Sequence, residues 1–98
     1  MQAQERVKKV VEYWFLDVID IILNKNNEEK TLVTRKFVEQ AFLDFIVDKE
    51  EYKPLMKMHP NYFKKCITIG IKLCGWEHYA NGARNNRIFK RIKVSEED

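Results

Sequence analysis

Between Pro60 and Gly75 the chain carries a helical stripe, and directly after it comes a hairpin signal centred on Asn81-Gly82. This succession limits the possible folds more than any other feature. Pro60 suits the first turn of a helix, where its missing N–H would be unpaired anyway. Gly75 suits the position just past a helix end, where the backbone turns left-handed. At about 100° per residue, Phe63, Cys66, Ile67, Gly70, Ile71 and Cys74 gather on one side, and Asn61, Lys64, Lys65, Thr68 and Lys72 on the other. A helix over 60–74 is therefore expected, with a polar face that holds no acid. Asn and Gly both tolerate positive φ. Asn81-Gly82 thus predicts a tight turn between a strand starting at Trp76 and a return strand over Arg87 to Val94. Ile88, Ile92 and Val94 would share one face of that return strand, with Trp76 and Phe89 closing the core beneath the hairpin.

The first half of the chain supplies what this unit needs to pack against. Val7, Val10, Val11, Trp14, Val18, Ile21 and Ile22 recur at three- and four-residue steps, which predicts a helix over 3–24. Polar residues 24–30 stop it. Thr31-Leu32-Val33 reads as a very short strand. Thr34 follows as an N-cap, its hydroxyl accepting from the first turn of a helix over 35–48. Val33 and Val38 stand at hydrophobic-staple positions, and Phe37, Val38, Ala41, Phe42, Phe45 and Ile46 form that helix's apolar stripe. Pro54 interrupts 48–59, from which Tyr52, Leu55 and Met56 are expected to tuck under the fold. The fold class is thus mainly α with a small β-hairpin, α+β, in the order helix, short strand, helix, helix, strand, turn, strand. The 98 residues make one domain, enough for one modest core, with residues 95–98 as an acidic tail.

Charge is distributed unevenly along this frame. Residues 1–51 carry 8 Lys/Arg against 11 Asp/Glu, whereas residues 52–94 carry 10 Lys/Arg against Glu77 alone. A basic surface of this kind points to a polyanion as partner. Other function classes lack their residues. No apolar run approaches the ~20 residues of a membrane span, and the opening Met1 to Glu5 does not match a signal peptide. On one helix Cys66 and Cys74 would stand about 12 Å apart, beyond the roughly 7 Å that a disulfide spans. Buried structural thiols and a reducing compartment, nucleus or cytoplasm, are expected. Their spacing, with His59 and His78, fits no zinc site. No P-loop, nucleophile elbow or HExxH is present. No catalytic residue, metal or cofactor is expected.

The basic helix ending at Cys74-Gly75-Trp76, then Asn81-Gly82-Ala83-Arg84 and Arg87-Ile88-Phe89-Lys90-Arg91-Ile92, resembles a winged helix-turn-helix over residues 5–94. The hairpin looks like the wing of RFX-type domains, and like the winged-helix modules of viral and plasmid primase-helicases. The resemblance implies DNA binding, in replication or transcription, with residues 60–74 as recognition helix and 76–94 as wing. It departs from a minimal winged helix in a longer connection before the third helix and in a long first helix. It leaves helix-led and wing-led docking both open.

On this reading Asn61, Lys64, Lys65, Thr68 and Lys72 contact phosphates or the major groove, and Arg84, Asn86, Arg87, Lys90 and Arg91 contact the backbone or the minor groove. The competing reading of the helix face is an ordinary solvated surface, and that of the hairpin is an edge kept soluble by charge. Tyr79 stands as an alternative stacking residue for single strands. A second function class also fits: a protein-interaction adaptor, using helix 1 or the basic hairpin against an acidic partner.

Overall fold

The computed structural model describes residues 3–26 and 28–92. The expected strand end at Lys93-Val94 and the tail at 95–98 lie outside the described residues. The chain runs through a long helix α1 (residues 3–25), strand β1 (Leu32–Thr34), helix α2 (Arg35–Ile46), a 3-10 segment (Glu50–Lys57), helix α3 (Pro60–Leu73), strand β2 (Trp76–Asn81) and strand β3 (Arg87–Arg91). It is mainly helical with a small antiparallel sheet of order β1-β3-β2. Among the described residues no helix is long and apolar enough to cross a membrane.

Helix α1 buries a different set of residues from the one its spacing predicts. Val7, Val11, Phe15, Val18, Ile19, Ile22 and Leu23 are buried, while Val10, Trp14 and Ile21 are only half-buried. The cause is two wide turns. The helix is α-helical over Ala3–Val10 and Leu16–Asp20 but π-helical over Val11–Phe15 and Ile21–Lys25. On a regular α-helix a four-residue step overshoots one turn by about 40°. The wider turns absorb that drift, so residues 7, 11, 15, 19 and 23 stay aligned on the core side.

Phe15 is thereby brought to the centre. Its ring stacks on Phe42 of α2 at 4.8 Å and meets Phe63 of α3 at 5.7 Å. Three helices converge on these rings. Gly70 lets α3 lie close on α1, since a Cβ there would run into Cδ1 of Ile19.

Local signals set the helix starts. Thr34 accepts from the Phe37 N–H at 3.1 Å, and Val33 and Val38 are both buried beside that cap. The His59 ring nitrogen Nδ1 accepts from the Asn61 N–H at 3.1 Å, capping α3 at Pro60. Gly75 takes φ +93° just past α3. In the 3-10 segment Leu55 is buried and Tyr52 half-buried, but Met56 is exposed. Met58 packs on the core in its place.

β3 is the central strand, and its alternation sorts the basic hairpin. Phe89 pairs with Val33 and His78 and is buried on the helix side. Arg87 and Arg91 share that side. Ile88 and Lys90, with Ile92 beyond, face away from the helices. The common face expected for Ile88 and Ile92 is thus the outer one, where Leu32, Tyr79 and Ile92 are 48%, 57% and 44% exposed.

The hairpin reverses between Asn81 and Arg87 as expected, but the positive φ falls on neither Asn81 nor Gly82. A bulge between His78 and Ala80 adds a residue to β2, which moves the closure onward. The Gly82 N–H donates to Asn86 O, and Ala83–Asn85 form a single 3-10 turn. Gly82 is extended at φ −86°, and the left-handed residue is Arg84 at φ +57°. Glycine is still required at 82 for space, because a Cβ would come within 2.6 Å of Asn86 O.

Candidate functional site

The polar face of α3 is open to solvent. Asn61, Lys64, Lys65 and Lys72 are exposed and Thr68 is half-buried. The same alternation that buries Phe89 turns Arg87 of β3 toward this helix. Asn61, Lys64, Lys65, Thr68 and Ile69 of α3 line a shallow cleft of about 270 Å³ together with Arg87 and Arg35. A second cavity of about 470 Å³ continues it, lined by Arg35, Lys64, Asn81 and Arg87. Neither cavity is lined by a carboxylate.

Arg35 was not anticipated. It is the first residue of α2, and its Nε forms an ion pair with Glu39 Oε2 at 2.8 Å, one helical turn on. The two side chains are 13% and 16% exposed, so the arginine is held in place at the inner side of the cleft. The only hint in the sequence was the position itself: a cation directly after the N-cap Thr34, four residues before an acid.

The other expected contact residues are dispersed. Lys72 lies on the same face of α3 about one turn beyond Thr68, outside the cleft lining. Arg84 is exposed at the hairpin turn. Asn86 is committed to structure through its carboxamide oxygen, which accepts from the Lys36 N–H at 3.1 Å and ties the hairpin to the start of α2.

Lys90 points to the opposite face of the sheet. Its ammonium stands 3.7 Å from Glu77 and 5.5 Å from the Tyr79 ring centre. It does not join the wall formed by Arg87, because adjacent strand residues face opposite ways.

Arg91 is the clearest correction, since its guanidinium is an internal bracket rather than a free contact. It donates to Asn24 Oδ1 at 2.8 Å and to the carbonyls of Leu23, Glu28 and Lys30 at 3.1–3.3 Å, and it lies 4.6 Å over Trp76. The first of those carbonyls is at the end of α1, where a cation complements the helix dipole.

Asn24 completes this junction. Its amide donates to Asp20 Oδ1 at 2.7 Å and to Cys74 O at 3.0 Å, and its oxygen also accepts from Trp76 Nε1 at 3.2 Å. The ends of α1 and α3 and both hairpin strands are joined there. Sequence reasoning placed Asn24 where the first helix meets the polar loop and gave it no partner.

Cys66 is buried and Cys74 half-buried. Burial pushes Cys66 up to about 11 from 9.0. Burial, with Asp20 and Asp17 nearby, pushes Cys74 up to about 12. Thiols in this state are poor nucleophiles and poor metal ligands at neutral pH. Among the described residues no three of His, Cys, Asp and Glu are grouped to hold a metal. Comparison with protein-family models, with curated proteins and with solved structures finds no match to this chain.

Proposed function

We propose that this chain is a winged-helix domain that binds duplex DNA, with α3 as recognition helix and the β2–β3 hairpin as wing. The observation that carries the proposal is the cleft, where Lys64, Lys65 and Arg87 meet Arg35 with no carboxylate in the lining. Cations from a helix, a strand and a second helix then face one continuous surface, as phosphates along a duplex require. Asn61 and Thr68 add neutral donors and acceptors on the same surface. Replication or transcription is the setting this reading implies.

The wing contributes through Arg87 and the exposed Arg84. Lys90 and Arg91, facing away or enclosed, are left out of the contact set. Each phosphate neutralised adds about 0.9 to the slope of log affinity against log salt. The exposed cations Lys64, Lys65, Arg84 and Arg87 together lead to a slope of about 3–4.

The test is titration of a labelled duplex at low and physiological salt, using the native chain and a variant with Lys64, Lys65, Arg84 and Arg87 reversed to Glu. Affinity is expected to fall steeply with salt, and the folded variant, checked by circular dichroism, is expected to lose the duplex. A salt-independent affinity, or normal binding by the variant, contradicts the proposal. The adaptor reading draws on a different observation: the exposed Leu32, Tyr79 and Ile92 on the outer face of the sheet. It gains if the reversed variant retains the duplex.

A further inference from the structure

The cavity between Arg35, Lys64, Asn81 and Arg87 differs from the rest of the basic surface. Its four side chains come from α2, α3, β2 and β3. Three are cations and the fourth is a carboxamide. The Asn81 oxygen is engaged by His78 Nε2 at 3.1 Å, so its amide nitrogen remains as a donor. Arg35 Nε stands 2.8 Å from Glu39 Oε2, and the arginine side chain lines the cavity. A lysine adds a compact charge, and the arginines add planar forks.

A backbone phosphodiester carries one negative charge and passes along a surface. Three cations line one cavity, and with Arg35 paired to Glu39 two positive charges stay uncompensated, which exceed what it needs. They match a dianion with three terminal oxygens, the charge and shape of a phosphate monoester near neutral pH. Two arginine forks and a lysine can satisfy those oxygens with charge-assisted hydrogen bonds.

We infer that Arg35, Lys64, Asn81 and Arg87 form a pocket for a phosphate monoester, the terminal phosphate of a nucleic-acid strand. The inference rests on the DNA-binding reading for the strand and adds the preference for its end. Glu39 is a positioning residue that holds Arg35.

The test uses the full chain and a DNA hairpin with one blunt end, labelled in its loop. The end carries either a 5′-phosphate, a 3′-phosphate or hydroxyls only. One of the phosphorylated ends is expected to bind about tenfold tighter than the hydroxyl end, the scale of an added charge-assisted contact. Arg87→Gln is expected to remove that preference, and since Arg87 is exposed the variant will fold. Arg35→Gln is expected to do the same. Lys65→Gln, outside the pocket, is expected to weaken all ends equally and keep the preference.

Equal affinity for all ends overturns the inference and leaves DNA binding standing. No binding to any end overturns both. Displacement by inorganic phosphate at the hairpin's own concentration overturns the assignment to a strand end, because the pocket would then be a free-phosphate site.

Discussion

Arg91 and Arg87 sit four residues apart with the same charge and opposite duties. Arg91 is surrounded by carbonyl and carboxamide oxygens and lies 4.6 Å over the Trp76 ring. Removing it would leave the Asn24 oxygen and the last carbonyls of α1 without that donor, and Trp76 without its cover. Arg91→Ala is expected to lower the unfolding free energy by about 3 kcal/mol, as loss of a multiply bonded charged group does. Arg91→Lys is expected to recover less than half, because an ammonium cannot fork to several oxygens and stack at once. Urea denaturation measures both, and a change below about 0.5 kcal/mol for Arg91→Ala would show that the bracket is unimportant. The fraction that remains folded is expected to bind duplex normally. Composition presents these arginines as equals. Strand parity does not separate them, since both share the helix side with Phe89; what does is the oxygens of Asn24 and of Leu23 at the end of α1, 67 and 68 residues earlier. Parity was legible in the sequence once the strand was recognised; the partner in space was not.

The hairpin as an element shows how a local signal can name the right structure and the wrong residue. Asn81-Gly82 marked the reversal, and the strands pair as that marking requires. The bulge beside Tyr79 then shifted the closure, so that Gly82 serves close approach and Arg84 carries the positive φ. A side chain at φ +57° is held in a region that costs about 1 kcal/mol or more outside glycine. Arg84→Gly is therefore expected to raise stability by about 1 kcal/mol, and Gly82→Ala to lower it by a similar amount or more as its Cβ meets Asn86 O. Thermal unfolding of the two variants decides the matter. A turn centred on Asn81-Gly82 would reverse the first sign, because Gly at 84 would then only add freedom to the unfolded chain. Helix α2, by contrast, was legible almost in full. Thr34, Val33 and Val38 fix its start with residues close in sequence. Helix α1 was legible in extent and not in facing, since its wide turns answer to Phe42 and Phe63, which lie far along the chain.

At the scale of the molecule, the basic half of the chain does not become one basic wall. Its described cations divide among the cleft (Lys64, Lys65, Arg87), the next turn of α3 (Lys72), the 3-10 segment (Lys53, Lys57), the outer sheet face (Lys90), the internal junction (Arg91) and the hairpin turn (Arg84). The charge imbalance of the sequence was a sound guide to a basic surface, but the number of cations on that surface depends on the fold. The core carries a pH dependence of its own. Cys66 and Cys74 stay protonated in the folded chain up to about 11 and about 12, while unfolded thiols ionise near 9.0. Their contribution is fully present below pH 9.0 and is lost as pH climbs toward those folded values. The loss can reach about 1.4 kcal/mol per pH unit for each thiol. Urea midpoints of the native chain are expected to fall across that alkaline window. A Cys66→Ala, Cys74→Ala variant subtracts the other groups that titrate there and is expected to show a shallower fall; identical slopes would remove the thiols as the cause.

The two π-helical turns of α1 have a consequence for how this chain can change length. A π turn is an α-helix carrying one surplus residue within a single loop of hydrogen bonds. Residues 12 and 13 lie exposed in the first of them. Losing either would let the backbone relax to ordinary α geometry while Val7 and Ile19, on either side, kept their bearings toward the other helices. The same loss within Leu16–Asp20 would swing every residue before it around the axis and strip Val7 and Val11 from the core. The helix therefore has a built-in point of tolerance to deletion, set where its side chains meet solvent.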